Sequence, residues 1–124
     1  MTVKEVISQI EQQIAMPQAE DFDNVGLLCG RLDRNVSGIL VCHDALENVV
    51  EEAIERNCNL IVCFHPIIFS GLKKITGKNN VERAILSAIE NKIAIYAIHT
   101  AFDNDFFGVN AGICSHLGLK NLQI

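Results

Sequence analysis

The sequence predicts an α/β domain whose mostly parallel or mixed sheet is covered by helices. Short apolar runs alternate with amphipathic stretches of about ten residues, the pattern of strand–helix–strand crossovers. The runs are nearly continuous in apolar character, as strands covered on both faces are. The 124 residues are 49% hydrophobic and 20% charged, enough for one core and one domain over 1–124. That composition excludes a disordered tail.

The elements follow in order. Thr2 and Glu5 fit a capping box, and Val3, Val6, Ile7, Ile10 and Ile14 then recur on one helical face until Pro17. A polar loop from Gln18 to Asn24 leads to an apolar strand, Val25 to Cys29, closed by Gly30; it can join the sheet as an antiparallel or edge strand. Ile39 to Cys42 is the next strand. Asp44 reads as an N-cap with Glu47 three residues on, and Leu46, Val49, Val50, Ala53 and Ile54 form the helix stripe. Leu60 to Phe64 is a strand, followed by an irregular loop through Lys78. Asn80 opens a helix whose apolar face carries Val81, Ala84, Ile85, Ala88 and Ile89. Ile93 to Ile98 is a strand, a loop surrounds Asp103, and a last helix spans Val109 to Leu117, with Gly118 suited to its end.

Composition removes several function classes. A net charge of -5 argues against nucleic-acid binding, which needs a cationic surface. No apolar run is long enough to span a bilayer, and the acidic, amide-rich N-terminus is unlike a signal peptide. A cytoplasmic location is expected. The five cysteines are odd in number, none spaced as CxxC, and most lie in apolar runs. They read as small apolar residues rather than a disulfide framework, zinc knuckle or nucleophile. GxGxxG and the P-loop are absent, and Lys73, Lys74 and Lys78 read as a solvated loop patch with a phosphate contact as the alternative.

Three of the four histidines stand at equivalent places. His43 and Asp44 follow Cys42, His65 follows Phe64, and His99 follows Ile98, with Asp103 four residues further on. In a parallel sheet the carboxyl ends share one edge, where ligands bind, so these residues are expected to converge. Imidazole with carboxylate suits Zn, Fe, Mn or Ni. Taken singly, each of these histidines reads first as a surface or satisfied polar residue, Asp44 as a helix cap, and His116 as part of the last helix.

The series Ala19-Glu20-Asp21-Phe22-Asp23-Asn24-Val25-Gly26-Leu27-Leu28, Ile39-Leu40-Val41-Cys42-His43-Asp44, Leu60-Ile61-Val62-Cys63-Phe64-His65-Pro66-Ile67-Ile68-Phe69, Tyr96-Ala97-Ile98-His99-Thr100-Ala101-Phe102-Asp103 and Gly108-Val109-Asn110 resembles the Nif-three-like family (NGG-one-interacting-factor-three-like). These are ring-forming proteins with a dinuclear metal centre, some named type-two GTP cyclohydrolase homologues. The resemblance covers the family's N-terminal half. It implies that His65 and Asp103 bind one divalent metal, with Asp23, Asn24 and His99 as neighbours of the site. It also implies a hydrolase acting on a nucleotide or phosphorylated small molecule, the metal lowering the pKa of water toward ~7. The alternative is a non-catalytic oligomeric or interaction module with a degenerate site.

Two departures from the family pattern stand out. The central motif usually reads His-His-Pro, and Phe64 occupies its first place. The family's second half, with a histidine followed four residues on by a glutamate, lies beyond Ile124; His43 and Glu47 share that spacing at the wrong place. An excised domain, a naturally short chain, or a half whose partner is a separate chain all fit. Each leaves apolar surface exposed, so self-association into a homo-oligomer, or pairing with a C-terminal half, is expected.

Overall fold

The computed structural model describes residues 1–14 and 16–123. Ala15, on the approach to Pro17, and Ile124 lie outside them. One sheet contains β1 (Gly26–Cys29), β2 (Ile39–Asp44), β3 (Leu60–His65) and β4 (Ala94–Ala97), in the spatial order β1-β4-β3-β2. β2, β3 and β4 are parallel, and β1 pairs antiparallel with β4 at one edge. The sheet is thus mixed, as the sequence predicts. The helices are α1 (Val3–Glu11), α2 (Glu47–Glu55), α3 (Asn80–Glu90), α4 (His99–Asp103) and α5 (Val109–His116).

The period-2 geometry of strands divides the core in two. Ile61 and Cys63 of β3 and Ile95 and Ala97 of β4 pack under α2 and α3, against Val50, Ala53, Ala84, Ile85 and Ala88. The intervening Leu60, Val62, Ala94 and Tyr96 face α1, against Val3, Val6 and Ile7. β2 lies at the far edge, where α1 does not cover it. Its Leu40 and Cys42 pack on the α2/α3 side, while Ile39 and Val41 on the other face are exposed.

Local chemistry sets the boundaries. The capping box of α1 is present: Thr2 Oγ1 accepts from the Glu5 amide and Glu5 Oε2 from the Thr2 amide. Asn79, one residue before the expected opening, caps α3 by accepting from the Glu82 amide. Glu82 in turn accepts from the Thr76 amide and hydroxyl, the Lys78 amide and the Asn79 side chain. One carboxylate thereby pins the end of the irregular loop that follows β3. Gly30, with φ of 104°, closes β1 against Ala94, where a Cβ would come within 2.6 Å of the Ala94 Cα.

Two local expectations are corrected. Asp44 does not cap α2; Leu46 holds that position without a side-chain bond, and β2 runs on through Asp44. The segment around Asp103 is not a loop: His99–Asp103 forms the short helix α4. Among the described residues no helix is long and apolar enough to cross a membrane. All five cysteines are free; Cys63 is buried and the others half-buried. Burial pushes the Cys63 thiol up to about 12 and the Cys42 thiol up to about 11, which suits inert packing residues.

Candidate metal centre

Parallel register brings the strand ends together. Cys42 aligns with Cys63 and Asp44 with His65, so position 43 lies across from position 64. Alternation then sorts the side chains. Asp44 and His65 continue the α2/α3 face, and His43 and Phe64 continue the α1 face. At the open carboxyl edge the rings curl toward one another. The His43 ring centroid is 4.4 Å from that of His65, and His65 is 5.2 Å from His99. The three strand-end histidines converge as the sequence predicts.

Phe64 stands in their midst. Its ring stacks on His43 at 5.1 Å and 8°, and meets His99 edge-on at 5.4 Å. A phenyl ring has no lone pair with which to coordinate a metal ion, so it serves here as an apolar wall.

Two carboxylate–imidazole pairs fix the rings. Asp44 Oδ1 lies 2.8 Å from His65 Nδ1, and Asp23 Oδ1 lies 2.9 Å from His99 Nδ1. An ionised carboxylate only accepts, so in each pair Nδ1 donates, and a neutral ring in that tautomer presents the Nε2 lone pair. Metal-ligating histidines are commonly oriented in this way. The Asp44 and His65 side chains are 46% and 45% exposed, within reach of a solvated ion.

Asp23 is a different kind of residue. Its side chain is fully buried and accepts from His99 Nδ1, the Asn24 amide, and both the amide and hydroxyl of Thr100. Burial alone would raise its carboxyl, but these hydrogen bonds outweigh it and hold the group down at about 2. Further bonds lace the preceding loop to α4: the Glu20 amide donates to Thr100 Oγ1, and Asn104 Nδ2 donates to the Gln18 carbonyl. The Asn24 side chain donates to the Ile68 carbonyl, tying this loop to the segment after β3.

Asp103 ends α4, one turn after His99, and residues so spaced share a helix side. Its carbonyl accepts from Asn110 Nδ2 at 3.0 Å, and it lines a cavity of about 200 Å³ with Asn104, Asp105 and Asn110. His116 stands apart in α5, its Nδ1 2.9 Å from the Gly112 carbonyl one turn back. One donor of each of His43, Asp44 and His65 lies within 4.8 Å of the others. Sequence reasoning missed the pairing of Asp44 with His65 and the Asp23–Thr100 clamp. The first was available from strand register; nothing local announced the second.

This is a mixed α/β sheet that gathers imidazoles and carboxylates at the carboxyl ends of its parallel strands, the edge at which open α/β sheets bind ligands. The chain belongs to the Duf34/NIF3 (NGG1p interacting factor 3) family, whose model matches residues 1–124. It is 36% identical over its whole length to a Clostridium acetobutylicum protein named GTP cyclohydrolase 1 type 2 homolog, covering 46% of that protein. It is 38% identical to the NIF3-like protein 1 of Rattus norvegicus, with 95% of this chain matching 32% of that one. Among solved structures, a Bacillus cereus protein related to NIF3 superposes with a TM-score of 0.94 at 37% identity, over all of this chain and 34% of its own. Reduced HcgD from Methanocaldococcus jannaschii gives 0.91 at 25% identity, over 99% of this chain and 49% of its own. The chain thus spans a third to a half of the length of these relatives.

Proposed function

We propose that this chain binds a divalent metal at the carboxyl edge of its sheet, with His65 and Asp103 as ligands, and takes part in hydrolysis of a nucleotide or phosphorylated small molecule. The observation that carries the reading is the Asp44–His65 pair at 2.8 Å, which leaves Nε2 of an exposed imidazole free to coordinate. The donor types fit the group: neutral imidazole and carboxylate suit Zn, Fe, Mn or Ni. Asp103 supports it by standing one turn from His99, whose ring is 5.2 Å from that of His65. When bound, such a cation supplies Lewis-acid polarisation and acidifies water into the neutral range. The chain's own part is to orient His65 through Asp44, to fix His99 through Asp23, and to wall one side with Phe64. The substrate class draws support from the relatives named GTP cyclohydrolase 1 type 2 homolog.

Replacing His65 by Ala removes bound metal and turnover in this reading. Unchanged metal per chain in that variant, measured by mass spectrometry, rejects it.

A second reading is favoured by Phe64: a non-catalytic oligomeric or interaction module that keeps the fold without a complete centre. Exposed apolar side chains support a self-associating surface, Val41 at 76% and Phe107 at 85% among them. The variant Phe64→His separates the two. Metal occupancy rises if a working site exists and stays level if the site is extinct. Monomer alone at tens of micromolar in the ultracentrifuge, a concentration that detects moderately weak dimers, counts against self-association.

A further inference from the structure

We propose that His43, Asp44 and His65 hold one divalent transition-metal cation, with His43 supplying the imidazole that position 64 lacks; of the ligands, the proposal shares only His65 with the reading above, in which Asp44 orients His65 without ligating. The three donors come from the ends of two neighbouring strands in fixed register. They lie within 4.8 Å of one another. Donors around a cation with ~2.1 Å bonds sit roughly 3 to 3.5 Å apart, so modest side-chain rotation closes the triangle.

Asp44 Oδ1 and His65 Nδ1, 2.8 Å apart, can take the cation between them in place of the shared hydrogen, the ring proton moving to Nε2. Two neutral imidazoles and one carboxylate leave a divalent ion with a net positive charge. That donor set suits a borderline transition metal rather than Ca or Mg. Three protein donors also leave coordination positions open to water or a ligand, as in catalytic rather than structural sites.

The surroundings distinguish this cluster from scattered surface groups. The His43 ring lies flat against Phe64, which holds its plane, and the Asp44 contact holds that of His65. Both imidazoles are therefore oriented before any ion arrives. His43 ends the uncovered stripe that begins at Ile39 and Val41, so packing does not require an imidazole there. Phe64 acts as a brace for the imidazole beside it rather than as a gap in the ligand set.

The test is a titration of the chelator-stripped chain with Co²⁺ alone and with Zn²⁺ alone, by calorimetry and by the visible absorption of bound cobalt. His43→Ala, His43→Gln and Asp103→Asn are compared with the unaltered chain, each first checked for folding by circular dichroism. His43→Gln keeps a planar group on Phe64, so it reports on coordination should the Ala variant lose its fold. The proposal expects both His43 variants to bind at least about tenfold more weakly, with a weaker cobalt band. It is overturned if the folded His43 variants bind like the unaltered chain, or if the unaltered chain binds neither ion. Asp103→Asn reports on the other reading: weakened binding supports the His65–Asp103 pair, and unchanged binding removes that pair while leaving the His43 result to stand or fall alone.

Discussion

Replacing Asp23 by Asn probes the clamp that positions His99 and ties the loop before β1 to α4. Asp23 Oδ1 accepts from His99 Nδ1 at 2.9 Å and the Asn24 amide at 2.8 Å, while Oδ2 accepts from the Thr100 amide at 3.1 Å and the Thr100 hydroxyl. Asn presents one oxygen and one NH₂, so whichever way it turns, an NH₂ faces donors. Two hydrogen bonds to a charged, buried acceptor are lost, at about 1–2 kcal/mol each. The total is about 2–4 kcal/mol, or a fall of roughly 10 °C in Tm for a domain of this size. The pH dependence carries a sign. The folded carboxyl titrates at about 2, below its unfolded value, so its stabilisation is complete above pH ~4 and lost as the pH falls through about 2. That acid-sensitive part is on the order of 1 kcal/mol after allowing for screening. Urea unfolding followed by circular dichroism at pH 7, 4 and 2.5 measures both effects. Asp23→Asn should unfold at lower urea at pH 7 and show a shallower loss toward pH 2.5. An unchanged urea midpoint at pH 7, with the acid limb intact, would refute the reasoning.

Two further substitutions test how the site is held. Gly30→Ala places a Cβ within 2.6 Å of the Ala94 backbone at a positive φ, so β1 must shift. A loss of at least ~2 kcal/mol is expected in denaturant melts, and a neutral result would contradict the close approach. In Glu82→Gln the acceptor shared by the Thr76 and Lys78 amides loses its charge, which should speed their hydrogen exchange while leaving α2 amides unaffected. The same carboxyl is held below its usual range by the Lys78 and then the Thr76 amides. Its contribution is therefore present above the unfolded value and fades on acidification past the folded one, so protection of the Thr76 amide, its exchange relative to the intrinsic rate at each pH, should fall there in the unaltered chain. Exchange at Thr76 that ignores both changes would reject the tether.

Much of this was legible along the chain, for physical reasons that vary by element. β3 and the α1, α2 and α3 stripes declare themselves because burial imposes a period on hydrophobicity. The convergence of His43, His65 and His99 followed from parallel topology alone. Asp with Glu three residues on is a local N-terminal signature, so the sequence alone makes Asp44 a cap. The structure resolves the competition in favour of a cross-strand partner, His65, that local reading does not see. α4 escaped notice because five residues are too few to show a helical period. The Asp23–Thr100 clamp joins positions distant along the chain, and no spacing rule links them.

The most direct test of the central claim is the anomalous scattering from crystals soaked in Zn²⁺. A peak within about 2.0–2.3 Å of a His65 nitrogen, at the carboxyl edge between β2, β3 and α4, is the predicted result. A peak bound only elsewhere on the molecule, or none at saturating zinc, contradicts it.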